Sequence, residues 1–170
     1  MKTLILGGVR SGKSRHAAEL ARRSGGAVTL IATAQAKDAE MAARIDAHRA
    51  GRPSEWGVVE EPTHLAAALT AASRPERFVI VDCLTLWLTN LLCDGEGRAL
   101  ARESAELLAL LPALPGSCVL VSNEVGWGVM PANALARRFA DEAGSLHQKL
   151  AVLCDRVVLM AAGLPLAVKP

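Results

Sequence analysis

Short, continuously apolar runs alternate along the chain with longer segments in which apolar residues return every third or fourth position. The runs cover residues 3–6, 27–32, 56–60, 78–82, 118–122 and 156–160 and predict six strands. Most lack an alternating polar side, so both faces must be covered, as in a parallel sheet. The clearest helical pattern spans residues 131–153, where Leu135, Phe139, Ala143, Leu146, Leu150 and Leu153 form one stripe and Arg137, Arg138, Asp141 and Glu142 face away. Pro62 suits the first position of an alanine-rich helix, because proline lacks the amide hydrogen that a helix start leaves unpaired. The apolar stretch from Phe78 to Cys93 fits a buried strand running into a helix, and falls short of the roughly 20 residues of a membrane span. Strands alternating with helices predict a three-layer α/β fold with a mainly parallel sheet, residues 1–170 forming one domain.

Composition narrows the partners. With 51% apolar residues the chain is long and hydrophobic enough to bury a core, which excludes intrinsic disorder. Nineteen basic against seventeen acidic residues give a net charge of +2, no single-sign field for nucleic acid or a membrane surface. Two phenylalanines, three tryptophans and no tyrosine exclude the interleaved aromatics of a single-strand-binding face. The apolar start ends at Gly7-Gly8, too short for a signal peptide. Cys83, Cys93, Cys118 and Cys154 have no metal-binding spacing and read as small buried hydrophobes of a cytoplasmic protein.

The most specific feature is Gly7-Gly8-Val9-Arg10-Ser11-Gly12-Lys13-Ser14, a complete G-x-x-x-x-G-K-[ST] run that succeeds a strand pattern and opens a helical one. Its glycines let backbone amides wrap phosphate oxygens, the helix start adds partial positive charge, Lys13 reaches the outer phosphates, and the Ser14 hydroxyl suits Mg2+. Phe78-Val79-Ile80-Val81-Asp82 is four apolar residues ending in an acid, which makes Asp82 the second magnesium-side group. The expected fold is therefore that of a RecA-like P-loop NTPase. The Asn-Lys-x-Asp run with which many switch GTPases hold guanine is absent.

Residues 38–49 read as a short helix capped by Asp38, with Glu40 in its first turn and Met41, Ile45 and His48 on one stripe. Spacing alone makes His48 a packed or capping residue as readily as a nucleophile. His16, His64 and His147 take structural or solvated roles. Ser122-Asn123-Glu124-Val125-Gly126-Trp127-Gly128 emerges at a strand's carboxyl end, where ligands of open α/β sheets bind.

Taken together, these segments resemble the bifunctional adenosylcobinamide kinase/adenosylcobinamide-phosphate guanylyltransferase family of cobalamin biosynthesis. The resemblance runs through the P-loop and Arg15, Ile31-Ala32-Thr33-Ala34, Glu40-Met41-Ala42-Ala43-Arg44-Ile45 with His48, Arg49, Arg52 and Pro53, then Trp56 and Glu60-Glu61-Pro62. It continues through Asp82-Cys83-Leu84-Thr85, Thr89-Asn90-Leu91, Asn123-Glu124-Val125-Gly126 and Leu135-Ala136-Arg137. It departs at Val58, where threonine is frequent, at Ala132, where glutamate is frequent, and at His147, where asparagine is expected.

The resemblance implies two reactions: phosphorylation of the aminopropanol hydroxyl of adenosylcobinamide with ATP or GTP, then transfer of GMP from GTP to that phosphate with loss of pyrophosphate. It gives His48 the role of covalent GMP carrier, and implies nucleotide contacts at Gly7 to Ser14, at Thr33, Ala34 and Gln35, at Arg49, Ala50, Gly51 and Arg52, and at Glu60 and Asp82. Glu60 suits guanine, since a carboxylate accepts two hydrogen bonds from its edge. It also implies a homo-oligomer, a trimer, with no nucleic acid and no membrane insertion. Two other readings remain open: a P-loop small-molecule kinase without a covalent histidine, in which His48→Ala keeps full activity, and a non-enzymatic nucleotide-binding subunit that turns over no corrinoid.

Overall fold

A computed structural model describes the chain except for Lys37, Arg52, Gly95, Glu96 and the side chains of Arg44, Ala47, His48 and Ala50. Its strands are β1 (Lys2–Gly7), β2 (Ala27–Ala32), β3 (Gly57–Glu60), β4 (Arg77–Asp82), β5 (Ser117–Asn123), β6 (Arg156–Ala161) and β7 (Leu164–Lys169). The helices are α1 (Lys13–Ser24), α2 (Ala39–Ala50), α3 (Leu65–Ala72), α4 (Leu84–Cys93), α5 (Leu100–Leu110) and α6 (Ala134–Leu153). The strands form one sheet in the order β3-β2-β4-β5-β1-β6-β7, parallel throughout except for the β6–β7 hairpin.

Both faces of the central strands are covered, as their unbroken apolar runs require. Leu4, Ile31, Val79, Val81, Cys118 and Leu120 point to a core shared with α3, α4, α5 and α6. Their neighbours Ile5, Val28, Leu30, Phe78, Ile80, Val119 and Val121 point the other way, onto Ala17, Leu20 and Ala21 of α1. The two-residue alternation thus sorts every central strand between two layers of helix. The heaviest fully buried side chain is Trp87 of α4, whose Nε1 donates to Thr63 O at 2.7 Å. Burial of such a ring is worth several kcal/mol, on the order of the roughly 3–5 kcal/mol lost when one is truncated to alanine.

Four sequence expectations are corrected. Pro62 does not start α3, which begins at Leu65 after the N-cap His64; Glu61 Oε1 accepts the amides of Thr63 and His64 at 2.9 and 2.8 Å and ends the preceding turn there. The last long helix starts at Ala134, not 131, because Asn133 Oδ1 caps it by accepting from Leu135 and Ala136. Cys93 is exposed, unlike Cys83, Cys118 and Cys154, as the last residue of α4, beside a surface hollow lined by Leu135, Ala136 and Phe139. A seventh strand, β7, joins β6 through the tight turn Ala162-Gly163, both at positive φ; residues 164–168 are apolar like the inner strands, but their side chains are exposed.

Candidate active site at the carboxyl edge of the sheet

Six strands end on one edge, and their registers define a floor. Glu60 pairs with Ala32, Ala32 with Asp82, and Asp82 with Val121, while Gly7 pairs with Asn123 on one side and Met160 on the other. The phosphate loop rises from the end of β1. At Gly7 (φ 153°) a Cβ would lie 2.6 Å from both Met160 O and Ser11 Oγ, so the loop closes down only on glycine. Gly12 (φ 98°) takes the left-handed conformation that turns the chain into α1, and Arg10 (φ 56°) shares it. Val9 is exposed at the crest and Ser11 is buried beneath.

Lys13 and Ser14 open α1. Lys13 is largely buried and its Nζ donates to Gly8 O at 2.7 Å, which stretches the side chain over the loop. Burial lowers its pKa from the usual 10.5, opposed by neighbouring Cys83 and Asp82. Ser14 Oγ donates to Asp82 Oδ2 at 2.9 Å. The two residues picked from sequence as magnesium-side groups, 68 positions apart, therefore meet as a pair of oxygen donors at the foot of the loop.

Thr33 sits behind this pair, fully buried. Its Oγ1 donates to Cys83 O at 2.7 Å and accepts from Cys83 N at 2.9 Å, while its own amide donates to Asp82 O at 3.2 Å. The hydroxyl is thus fully engaged with the backbone that presents Asp82. Asn90 ties the same region together by donating to Thr33 O and Pro62 O at 2.8 and 3.1 Å. Asn123 Nδ2 donates to Thr85 Oγ1 at 2.9 Å, which fixes the end of β5 to the start of α4.

Ala34 and Gln35 lie farther along the edge in a cleft of about 650 Å³, together with Ala42, Ile45, Asp46 and Arg49 of α2 and with Glu60 and Pro62. Asp38 Oδ1 caps α2 by accepting from Met41 N at 2.7 Å, as its sequence position indicates. Arg49 bridges Asp46, at 3.6 Å, and Glu60, whose carboxylate it contacts through Nη2; the Glu60 bond raises the Arg49 pKa. Gly51 comes next as the C-cap. His48 and Ala50 belong to α2, but their side chains lie outside the described residues, as does all of Arg52.

Several residues support the site through contacts that the sequence did not assign. Gly163 N donates to Ser11 O at 3.0 Å and Arg15 Nη2 donates to Gly163 O at 3.3 Å, so the β6–β7 turn braces the phosphate loop. An Ala-Gly step between two apolar runs was the available signal for that turn. Asn90 was visible as an amide within an otherwise apolar helix, a residue that must find partners when buried. His147, assigned a structural role from sequence, is buried with Nε2 2.7 Å from Ser122 Oγ, and burial lowers its pKa, against the pull of Glu124.

A phosphate loop after the strand β1, an acid at the end of β4 and an inserted strand β5 between them define a RecA-like P-loop nucleotide-binding domain. Solved structures with that fold align over most of the chain: the RadB recombinase at TM-score 0.53 and 16% identity, covering 93% of this chain and 73% of that one, and the flagellar accessory protein FlaH of Methanocaldococcus jannaschii at 0.53 and 11%, covering 99% and 77%. Within this class the chain belongs to the cobinamide kinase / cobinamide phosphate guanyltransferase family, whose model matches residues 3–168, and it is accordingly a transferase. It is 54% identical over 169 residues to the bifunctional adenosylcobalamin biosynthesis protein CobP of Pseudomonas aeruginosa, covering 99% of this chain and 98% of that one. It is 41% identical over 182 residues to the protein of the same description, CobU, of Escherichia coli, covering 99% and 100%. Among the described residues no helix is long and apolar enough to cross a membrane.

Proposed function

We propose that this chain phosphorylates the aminopropanol hydroxyl of adenosylcobinamide with ATP or GTP and then transfers GMP from GTP to that phosphate through a guanylyl-His48 intermediate. The observation that carries the reading is the shared edge: the phosphate loop on β1 and the Arg49/Glu60 cleft on β3 lie four strand steps apart. At about 4.8 Å per step that is roughly 19 Å, the scale of one extended nucleoside triphosphate. In this reading the triphosphate lies at Lys13 and the base at Glu60, in the cleft lined by Ala42, Ile45, Asp46 and Arg49 of α2, the helix to which His48 belongs.

Ser14 and Asp82 fit Mg2+, being a hydroxyl and a carboxylate 2.9 Å apart beside a phosphate loop, a hard oxygen set. Bound there, the ion would neutralise charge on the phosphate oxygens. In phosphorylation, Lys13 and the amides from Gly8 to Ser14 stabilise the charge that develops as the substrate oxygen bonds to the γ-phosphorus and the β–γ bridging oxygen departs. In guanylyl transfer, an unprotonated His48 nitrogen bonds to the α-phosphorus and the α–β oxygen leaves with pyrophosphate, which Lys13 and the loop amides receive. An oxygen of the corrinoid phosphate then bonds to that phosphorus, and the phosphorus–nitrogen bond breaks to restore His48.

The assembly that carries this out is proposed to be a cytoplasmic homo-oligomer, a trimer by the family resemblance, with sedimentation as its check. The test of the covalent step is incubation with Mg2+ and GTP labelled on the α-phosphate, then denaturation. Acid-labile, base-stable label on the wild type and none on His48→Ala is expected. Absence of label from a wild-type chain that binds GTP would remove the covalent step and leave a plain kinase.

A further inference from the structure

Strand β5 lies between β4, which ends in Asp82, and β1, which opens the phosphate loop. The residue immediately after β5 therefore stands between the two halves of the phosphate site. That residue is Glu124. Its amide donates to Gly7 O at 3.0 Å, directly at the root of the loop, and the preceding Asn123 is held by Thr85 at 2.9 Å. The Glu124 side chain is partly buried, and Oε1 accepts the Gly126 amide at 2.7 Å, which orients the carboxylate over its own loop.

Other carboxylates on this edge are engaged elsewhere. Asp82 accepts from Ser14, Glu60 and Asp46 share Arg49, Glu61 accepts the amides before α3, and Asp38 caps α2. Among the described residues no lysine or arginine forms an ion pair with Glu124.

We propose that Glu124 is the general base of the phosphorylation step. The inference rests on the reading above that the acceptor is an alcohol placed at the γ-phosphate. A secondary alcohol is a poor nucleophile until its proton has somewhere to go. Glu124 takes the hydroxyl proton as the oxygen bonds to the γ-phosphorus; the bond to the β–γ bridging oxygen breaks, and the nucleoside diphosphate leaves with that electron pair. The proton on Glu124 then passes to solvent. Guanylyl transfer makes no such demand, because its acceptor, a phosphate, is already ionised. The residue thus separates the two reactions of one active site.

The experiment measures both reactions on wild type, Glu124→Gln and Glu124→Asp. Glutamine keeps the shape and the acceptor for Gly126 but removes the base. The expected result is a loss of at least about 100-fold in kcat for phosphorylation of adenosylcobinamide, within the roughly 10²–10⁴-fold range of a general base. KM for ATP, and the rate of GMP transfer to adenosylcobinamide phosphate supplied ready-made, stay within about threefold, and aspartate recovers part of the loss. A Glu124→Gln chain that phosphorylates within about fivefold of wild type, or that loses both reactions equally, overturns the assignment. A wild-type chain that phosphorylates no corrinoid brings down the reading beneath it and the assignment as well.

Discussion

Ser14 Oγ donates to Asp82 Oδ2 across 2.9 Å, joining the second residue of α1 to the last residue of β4. The bond reaches past an intervening strand, since β5 separates β4 from β1. It forms because the phosphate loop bends back over the carboxyl edge, so the first turn of α1 stands above the end of β4. Ser14→Ala and Asp82→Asn should each fold normally, as the pair is only half-buried. Both should need more Mg2+ for half-maximal phosphorylation, and Asp82→Asn should lose at least about 100-fold in rate, equal to about 3 kcal/mol of metal-assisted stabilisation. A magnesium titration of the steady-state rate checks this; an Asp82→Asn midpoint equal to that of wild type would remove Asp82 from the metal site.

Glu60 and Arg49 face each other in the cleft above β3. If Glu60 accepts the guanine edge, Glu60→Gln exchanges one of its two acceptors for a donor and should raise KM for GTP by about tenfold or more, the size of one lost charge-assisted hydrogen bond. Phosphorylation with ATP, whose base offers no such pair of donors, should stay near the wild-type rate. Equal losses with both nucleotides would place Glu60 outside base recognition and make it a partner of Arg49 alone.

The inner layers of the fold were legible because β1, β2, β4 and β5 are buried on both faces and therefore unbroken in apolar residues. The hydrogen-bonded pair Ser14–Asp82 was legible for a related reason: Asp82 ends an apolar strand and Ser14 lies in the first turn of the helix after a glycine-rich loop, and a polar residue at such a junction stands out against the apolar run before it. Edge elements were harder. Strand β7 is apolar from 164 to 168 yet carries Pro165 and exposes Leu164, Leu166 and Val168, so its run does not mark a strand buried on both faces. Thr33 shows the limit at the site itself. The resemblance implies a nucleotide contact there, but the engagement of its hydroxyl with the Cys83 backbone is a long-range pairing that no local spacing encodes.

Thiol reactivity is set by the same packing. Burial pushes the Cys118 thiol up to about 12 and Cys154 to about 11, and raises Cys83 as well. Their thiolates are scarce at neutral pH and shielded, whereas Cys93 is exposed at the end of α4. A native chain treated with a thiol reagent at pH 7.5 should be modified at Cys93 first, and the remaining three should react only in denaturant. Mass mapping that found Cys83 labelled as fast as Cys93 would show the floor of the phosphate site opening on its own.

The buried His147 gives stability a pH dependence of definite sign. Burial lowers its pKa below 6.5, so the folded chain holds the ring neutral, against the attraction of Glu124, while the unfolded chain takes up a proton from about pH 6.5 downward. Between the lowered folded value and 6.5 the unfolded state binds more protons, so stability rises with pH and is lost on acidification. His16, also lowered by burial, adds a slope of the same sign. Glu61 enters later: burial favours its protonation but the amides of Thr63 and His64 outweigh that and hold it below 4.5, so its contribution is lost only in more acidic solution. Asparagine at 147 can still donate to Ser122 Oγ but cannot titrate. Thermal unfolding at pH 7.5 and pH 5.0 should therefore show a smaller drop in Tm for His147→Asn than for wild type, and a smaller one again when His16 is also replaced by asparagine. An undiminished drop in the single variant would mean that the ring takes its proton without leaving Ser122, and that the slope arises elsewhere.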